Sequence, residues 1–346
     1  MERAGIGAGP ASEHGSSTRR GTGHRRGRWS SRVVSLALLA CAATFLGVLV
    51  APTATAAPRR PADNTYDLPE SGVFLEGIGV DRRAGWIYVS ATNRSGTIYR
   101  GRVGSGRLET WQPPHDGNDG RGIDVDRAGR VFVAGGPSGE VRVFSRNGAL
   151  LAELPTNEQG SFLNDVWVAP DGAAYVTDSS LPIIWRVRQQ HGRFRIERWL
   201  DVSRTITYTP NRSDFDLGGI VSTPGGRYLL TAQGTTGQLW RIDLRSKRIR
   251  EVPISGGPVV NADGLVLQGH NLTVVQNFSR QVSRLRLDDR WQSATTRKVI
   301  PTDTDRTFTT AKLVRGQLLL VDSKFGFPPT AAVAQSRVVP LSVAAR

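Results

Sequence analysis

A six-bladed β-propeller of four-stranded antiparallel blades is the fold class this sequence predicts, on three observations. One phrase recurs six times between Glu76 and Thr310: a polar or small residue, usually a Gly after it, an alternating apolar run, a Gly-marked turn and a second apolar strand. Its openings are Glu76-Gly77-Ile78, Arg121-Gly122-Ile123, Asn164-Asp165-Val166, Gly218-Gly219-Ile220, Asp263-Gly264-Leu265 and Thr310-Ala311-Lys312, and the intervals between them are 45, 43, 54, 45 and 47 residues. That period is the size of one propeller blade. No stretch after residue 56 shows sustained helical periodicity with caps. A two-sheet sandwich is the alternative, and it does not explain one opening phrase at near-constant spacing.

Taken from the N-terminus, residues 1–56 read as a secretory signal peptide with a long basic leader. Residues 1–32 hold seven Arg and two acidic residues, residues 33–50 are mostly apolar, and Ala54-Thr55-Ala56 offers a small-x-small cleavage pattern. Cleavage after Ala56 makes the chain secreted, with no stable membrane span. An uncleaved anchor is the competing reading, because 18 mostly apolar residues approach the length of a spanning helix. Arg25-Arg26 lacks the apolar pair that twin-arginine export expects, and Cys41 reads as a small residue inside the leader. Residues 57–72 form an N-terminal arm, whose stretch 65–68 is expected to lend a strand to the last blade and close the ring. Residues 73–346 are the propeller.

Within each unit the second strand alternates with period two, at 86–90, 131–134, 174–178, 228–232, 272–276 and 318–322. A third strand follows at 96–100, 139–144, 183–187, 237–243 and 281–287, and a more polar outer strand at 108–111, 151–154 and 249–252. Trp167, Trp185, Trp199 and Trp240 fall on these strands and read as packing between blades. Asp178, Asp322 and Asn277 follow second strands and either line the channel or cap turns, capping being the default reading.

Composition narrows the chemistry. Cys41 is the only cysteine, so after cleavage disulfides, thiolate metal sites and cysteine nucleophiles are all excluded. Without the leader 38 basic and 28 acidic residues remain, a net charge of +10 with no Lys/Arg block. A nucleic-acid partner would need a basic stripe interleaved with aromatics, and the sequence shows none. His115, His191 and His270 read as loop residues, which leaves no His-rich site for a redox metal. No serine-nucleophile motif occurs.

In a propeller the inner strands all start at one end of the channel, so the first residues of the repeat converge there. That ring reads Glu76, Arg121, Asn164, Gly218, Asp263 and Thr310. Two carboxylates and an amide form a hard, oxygen-rich set suited to one divalent cation, Ca²⁺ first and Mn²⁺ or Mg²⁺ next. Arg121 either neutralises a carboxylate or orients the oxygens of a bound substrate.

In Leu75-Glu76-Gly77-Ile78, in residues 164–178 and in Asn261-Ala262-Asp263-Gly264-Leu265, the sequence resembles the SMP-30/gluconolactonase/LRE-like propellers, and among them the secreted actinobacterial type. The resemblance spans most of the chain after the leader. It implies a monomeric hydrolase of sugar lactones or related esters with one divalent cation at the channel mouth. By that resemblance Glu76, Asn164 and Asp263 are metal ligands, Asn164 and Arg121 face the substrate, and Asp263 is also the general base. Two departures stand out. Gly218 occupies the place of a second ligand Asn, with Asp214, Asp216 or water left to fill the gap, and Phe162 occupies the place of a substrate-binding Arg. The competing expectation is a non-catalytic, NHL-like binding propeller for a protein or cell-surface glycan.

Overall fold

The computed structural model describes residues 65–93, 96–115, 118–211, 214–327 and 336–344, all within the unit Ala57–Arg346. The expected leader and the start of the arm lie outside the described residues. Six antiparallel sheets follow one another along the chain. From the inside outward they are Leu75–Asp81, Trp86–Ala91, Ile98–Arg102 and Glu109–Gln112; then Ile123–Val125, Val131–Ala134, Glu140–Phe144 and Leu150–Pro155; then Leu163–Val168, Ala174–Asp178, Ile183–Gln190 and Arg193–Asp201. The fourth blade is Leu217–Ser222, Tyr228–Gln233, Gln238–Asp243 and Ile249–Glu251, and the fifth is Ala262–Gln268, Asn271–Gln276, Gln281–Leu287 and Ala294–Pro301. The fifth blade gains an extra strand, Ile254–Ser255, paired parallel to its outer edge.

The sixth blade is built from both ends of the chain. Phe308–Val314, Gln317–Asp322 and Arg337–Pro340 supply its first three strands, and Tyr66–Asp67 supplies the fourth, with Tyr66 opposite Val338. This N-terminal strand also reaches the first blade: the Leu108 N–H donates to the Asp67 carbonyl at 2.9 Å, and the Gly104 N–H donates to Tyr66 Oη at 2.7 Å. A sheet edge that would otherwise lie open is thereby covered. Among the described residues the only helix is the single turn Leu341–Ala344.

The inner strands touch in ring order, first to sixth and back to the first. The core is accordingly divided into six layers, one between each pair of adjacent blades. Period-two alternation produces this, because both faces of every middle strand meet a neighbouring blade. The tryptophans belong here: Trp185 is buried between the second and third blades, and Trp199 and Trp240 between the third and fourth, with Trp167 packed alongside.

The repeated opening phrase has a structural cause. In five blades the inner strand carries one extra residue against its partner, between Leu75 and Ile78, Leu163 and Val166, Leu217 and Ile220, Ala262 and Leu265, and Phe308 and Ala311. The second blade does the same less regularly, Ala134 bonding both Arg121 N and Gly122 O. Such a bulge turns one side chain out of the pleat. The residue after it lies where the next inner strand presses closest: a Cβ on Gly77 would sit 2.3 Å from the Arg121 carbonyl, and one on Gly219 would sit 2.3 Å from that of Asp263. At Gly77 and Gly219 glycine is therefore required by contact between blades, whereas the third and sixth blades carry Asp165 and Thr310 at the same place. The register corrects one expectation, since Thr309 and not Thr310 takes the place equivalent to Glu76. Thr309 is buried and donates its hydroxyl to the Glu76 carbonyl at 2.7 Å.

Candidate functional site

Five of the six bulge residues, Glu76, Arg121, Asn164, Gly218 and Asp263, line one cavity of about 290 Å³. The structure thus brings together every candidate ligand and substrate contact read from the sequence. Glu76 is 5% exposed, and its Oε2 has no hydrogen-bond partner. Burial first, and then the charge of Asp263, push its carboxyl well above the usual range, with Arg121 opposing. Asp263 receives a hydrogen bond from Asn277 Nδ2 at 2.9 Å. Burial nevertheless lifts it to about 7, the Asn277 bond and Arg121 pulling down and Asp165 pushing up. Two carboxyl groups facing one cavity cannot both ionise cheaply, so they hold a proton or need a cation.

Arg121 behaves differently from either sequence expectation taken alone. Its Nη2 pairs with Asp119 at 2.8 Å and its guanidinium lies 4.9 Å from the centre of the Phe162 ring. Asp119 is itself buried and accepts the Gly120 N–H at 2.7 Å. Arg121 is thus fixed at the cavity wall by a residue outside the ring of openings, while its charge still bears on Glu76. Asn164 donates Nδ2 to Ser179 Oγ at 2.8 Å, which leaves its amide oxygen as the donor atom for the cavity.

The fourth blade supplies no side chain at the bulge. Asp216 does not fill the gap, because Thr209, Gln233 and Thr235 already satisfy its two oxygens at 2.6–3.1 Å. Asp214 does line the cavity and accepts a hydrogen bond from Asn211 at 3.2 Å. Among the described residues, no three His, Cys, Asp or Glu side chains cluster as a metal site would require. The donor set for a cation is therefore Glu76, with its unpartnered oxygen, Asp263 and the Asn164 amide. It is all hard oxygen and short of a full shell, and so fits a cation that keeps several waters.

Asn277 lines the cavity, the alternative to capping that the sequence offered, and Phe278, Thr235 and Phe325, missed in the sequence, line it too. All four follow second strands, which end on the face where inner strands begin, so topology alone could have found them. Asn277 in particular is a partner of Asp263 through Nδ2, while its Oδ1 accepts the Phe278 N–H at 2.6 Å. Asp178 does cap: its Oδ1 accepts the N–H groups of Phe162, Ser180 and Leu181 at 2.9–3.1 Å. The cavity rim is aromatic, with Phe215 46% and Phe278 58% exposed and Phe162 packed 4.8 Å from Phe215.

No family model and no curated protein matches this sequence. Solved structures that share its fold include virginiamycin B lyase from Staphylococcus aureus, 16% identical over 75% of this chain and 80% of that one, with a TM-score of 0.55. They also include regucalcin, a calcium-binding protein from Agrobacterium tumefaciens, 14% identical over 80% and 95% of the two chains at a TM-score of 0.55. A luciferin-regenerating enzyme is 12% identical over 77% and 90%, at 0.54. At such identities the likeness is one of fold. The last two are SMP-30/LRE-like propellers, and this chain shares their six-bladed architecture.

Proposed function

We propose that this chain is a divalent-cation-dependent hydrolase of a small lactone or ester. One observation carries the reading: Glu76 and Asp263 are held together on one cavity with their carboxyls raised and an oxygen of Glu76 unpartnered. Leaving a buried carboxylate oxygen unmet costs on the order of 1–3 kcal/mol, and that cost is recovered when a cation arrives. Glu76, Asp263 and the Asn164 oxygen would hold it. A bound cation supplies Lewis-acid polarisation of the scissile carbonyl. Asp263 takes the proton from the attacking water and returns it to the leaving alkoxide, leaving a carboxylic acid and an alcohol. Arg121, anchored by Asp119, attracts the carbonyl oxygen as negative charge develops on it. The Phe rim excludes water and favours a substrate whose body is apolar on one side.

The test is a panel of lactones and aryl esters assayed with Ca²⁺, Mn²⁺ or EDTA. Turnover is expected only with cation, and Asp263→Ala is expected to abolish it without loss of fold. No rate above buffer at saturating cation would sink the enzyme reading. A second reading, a non-catalytic binding propeller, is favoured by the exposure of Phe215 and Phe278 and by the missing donor at Gly218.

A further inference from the structure

A cluster of like charge lies on the outer part of the fourth blade, on residues that do not line the mouth cavity. Along the sequence these arginines are scattered over 227–250, and folding gathers them. Arg227, Arg241, Arg245, Arg248 and Arg250 surround one basin of about 960 Å³, against only Asp243 and Glu251. Arg241 and Arg250 are directly opposite each other across adjacent strands, an arrangement that like charges disfavour.

The basin is built and not merely solvated. Arg241 is 8% exposed, and its guanidinium lies 4.6 Å from the centre of the Tyr228 ring, with Arg227 at 4.8 Å from the same ring. Arg241 Nη1 donates to the Arg290 carbonyl at 2.7 Å. Asp243 is already used, its Oδ1 accepting the Arg245 and Ser246 N–H groups and its Oδ2 pairing with Arg227 at 3.4 Å. No ion pair among the described residues includes Arg241, Arg245, Arg248 or Arg250. The third blade provides an internal contrast. There Arg186 and Arg188 share Glu197, and Arg198 meets Glu158 and Asp201, at 2.6–3.4 Å. Arg186, Arg188 and Arg198 thus have the carboxylate partners that Arg241, Arg245, Arg248 and Arg250 lack.

We propose that this basin binds a flexible oligoanion carrying repeated sulfate or phosphate groups. Guanidinium forks match tetrahedral oxyanions, and four of them without carboxylate partners call for several anionic groups on one ligand. The basin is also larger than a single such group needs. Nucleic acid fits less well, because the basin has one aromatic ring, Tyr228, and two guanidinium groups are already stacked against it.

The test is calorimetric titration of the full chain with a sulfated heparin-type hexasaccharide, with inorganic tripolyphosphate and with a 12-nucleotide single-stranded DNA, over a range of salt. Binding of either of the first two supports the proposal and identifies the oxyanion. The double variant Arg248→Gln/Arg250→Gln, both side chains being exposed, is expected to weaken binding by about tenfold. It should also lower the slope of log K against log salt by about 1.4, at roughly 0.7 for each anionic group no longer held. Arg193→Gln/Arg195→Gln on the third blade removes the same charge and is expected to change neither by more than about twofold. An equal loss in both variants, tighter binding of DNA, or no binding of either oligoanion at low salt would each overturn the proposal.

Discussion

Replacing Asp263 with Asn is expected to stabilise the cation-free protein at alkaline pH. Burial holds the Asp263 carboxyl at about 7 against an ordinary 3.8. A carboxyl raised in the folded state contributes stability that is full below its unfolded value and is lost as pH rises through its folded one, so the loss runs from about pH 4 to about pH 7. About three pKa units correspond to roughly 4 kcal/mol when the group is fully desolvated. Solvent at the cavity screens part of this, leaving about 2–4 kcal/mol. The amide is nearly isosteric and keeps an oxygen to accept the Asn277 bond, so Asp263→Asn removes the cost of ionisation and little else. At about 2–4 °C per kcal/mol, its Tm in EDTA at pH 8 should exceed that of the parent by about 5–10 °C. At pH 4 the two should coincide, the parent carboxyl being already protonated. Differential scanning calorimetry at pH 4, 6 and 8 reads the effect. A variant no more stable than the parent at pH 8, or an offset independent of pH, would refute the reasoning that the buried carboxyl is a liability kept for binding.

Three further outcomes follow from the same geometry. Gly218→Asn restores an amide where the fourth blade has none; its Cβ would lie 3.3 Å from the Ala262 carbonyl, which needs only a small backbone adjustment. Cation affinity measured by calorimetry should rise by about tenfold, the worth of one added ligand. Gly219→Ala, one residue on, drives a Cβ to 2.3 Å from the Asp263 carbonyl and should cost about 3 kcal/mol or more in urea unfolding, against less than about 1 for Gly218→Ala. Deleting residues 1–69 removes the Tyr66–Asp67 strand and its fully buried tyrosine; Tm should fall by about 5 °C or more, and the freed edge should promote concentration-dependent association in sedimentation.

Much of the architecture was legible because a blade is short enough to repeat within a readable window. Period-two alternation placed the second strands, and their two-faced burial explains why those runs are apolar throughout. The bulge was not legible, since the extra residue only shows against its partner strand, and this is why the sixth opening was read at Thr310 instead of Thr309. The convergence of Glu76, Arg121, Asn164 and Asp263 could be anticipated from the first column of the repeat. Asp119, Phe162 and Phe215 could not, because they belong to loops whose lengths vary from blade to blade. The arginine basin stayed hidden for another reason: its members come from a turn, a strand and the edge of the next strand, and only pairing sets Arg241 against Arg250.

The central claim, that Glu76 and Asp263 form a cation site, is tested most directly by the thermal shift of the chain on titration with Ca²⁺ after EDTA treatment, compared with Glu76→Ala. At one hundred times Kd the expected stabilisation is about 2.7 kcal/mol, a rise of roughly 5–10 °C that saturates in the parent and is absent from the variant. A parent that does not respond to Ca²⁺, Mn²⁺ or Mg²⁺, or a variant that responds equally, would contradict it.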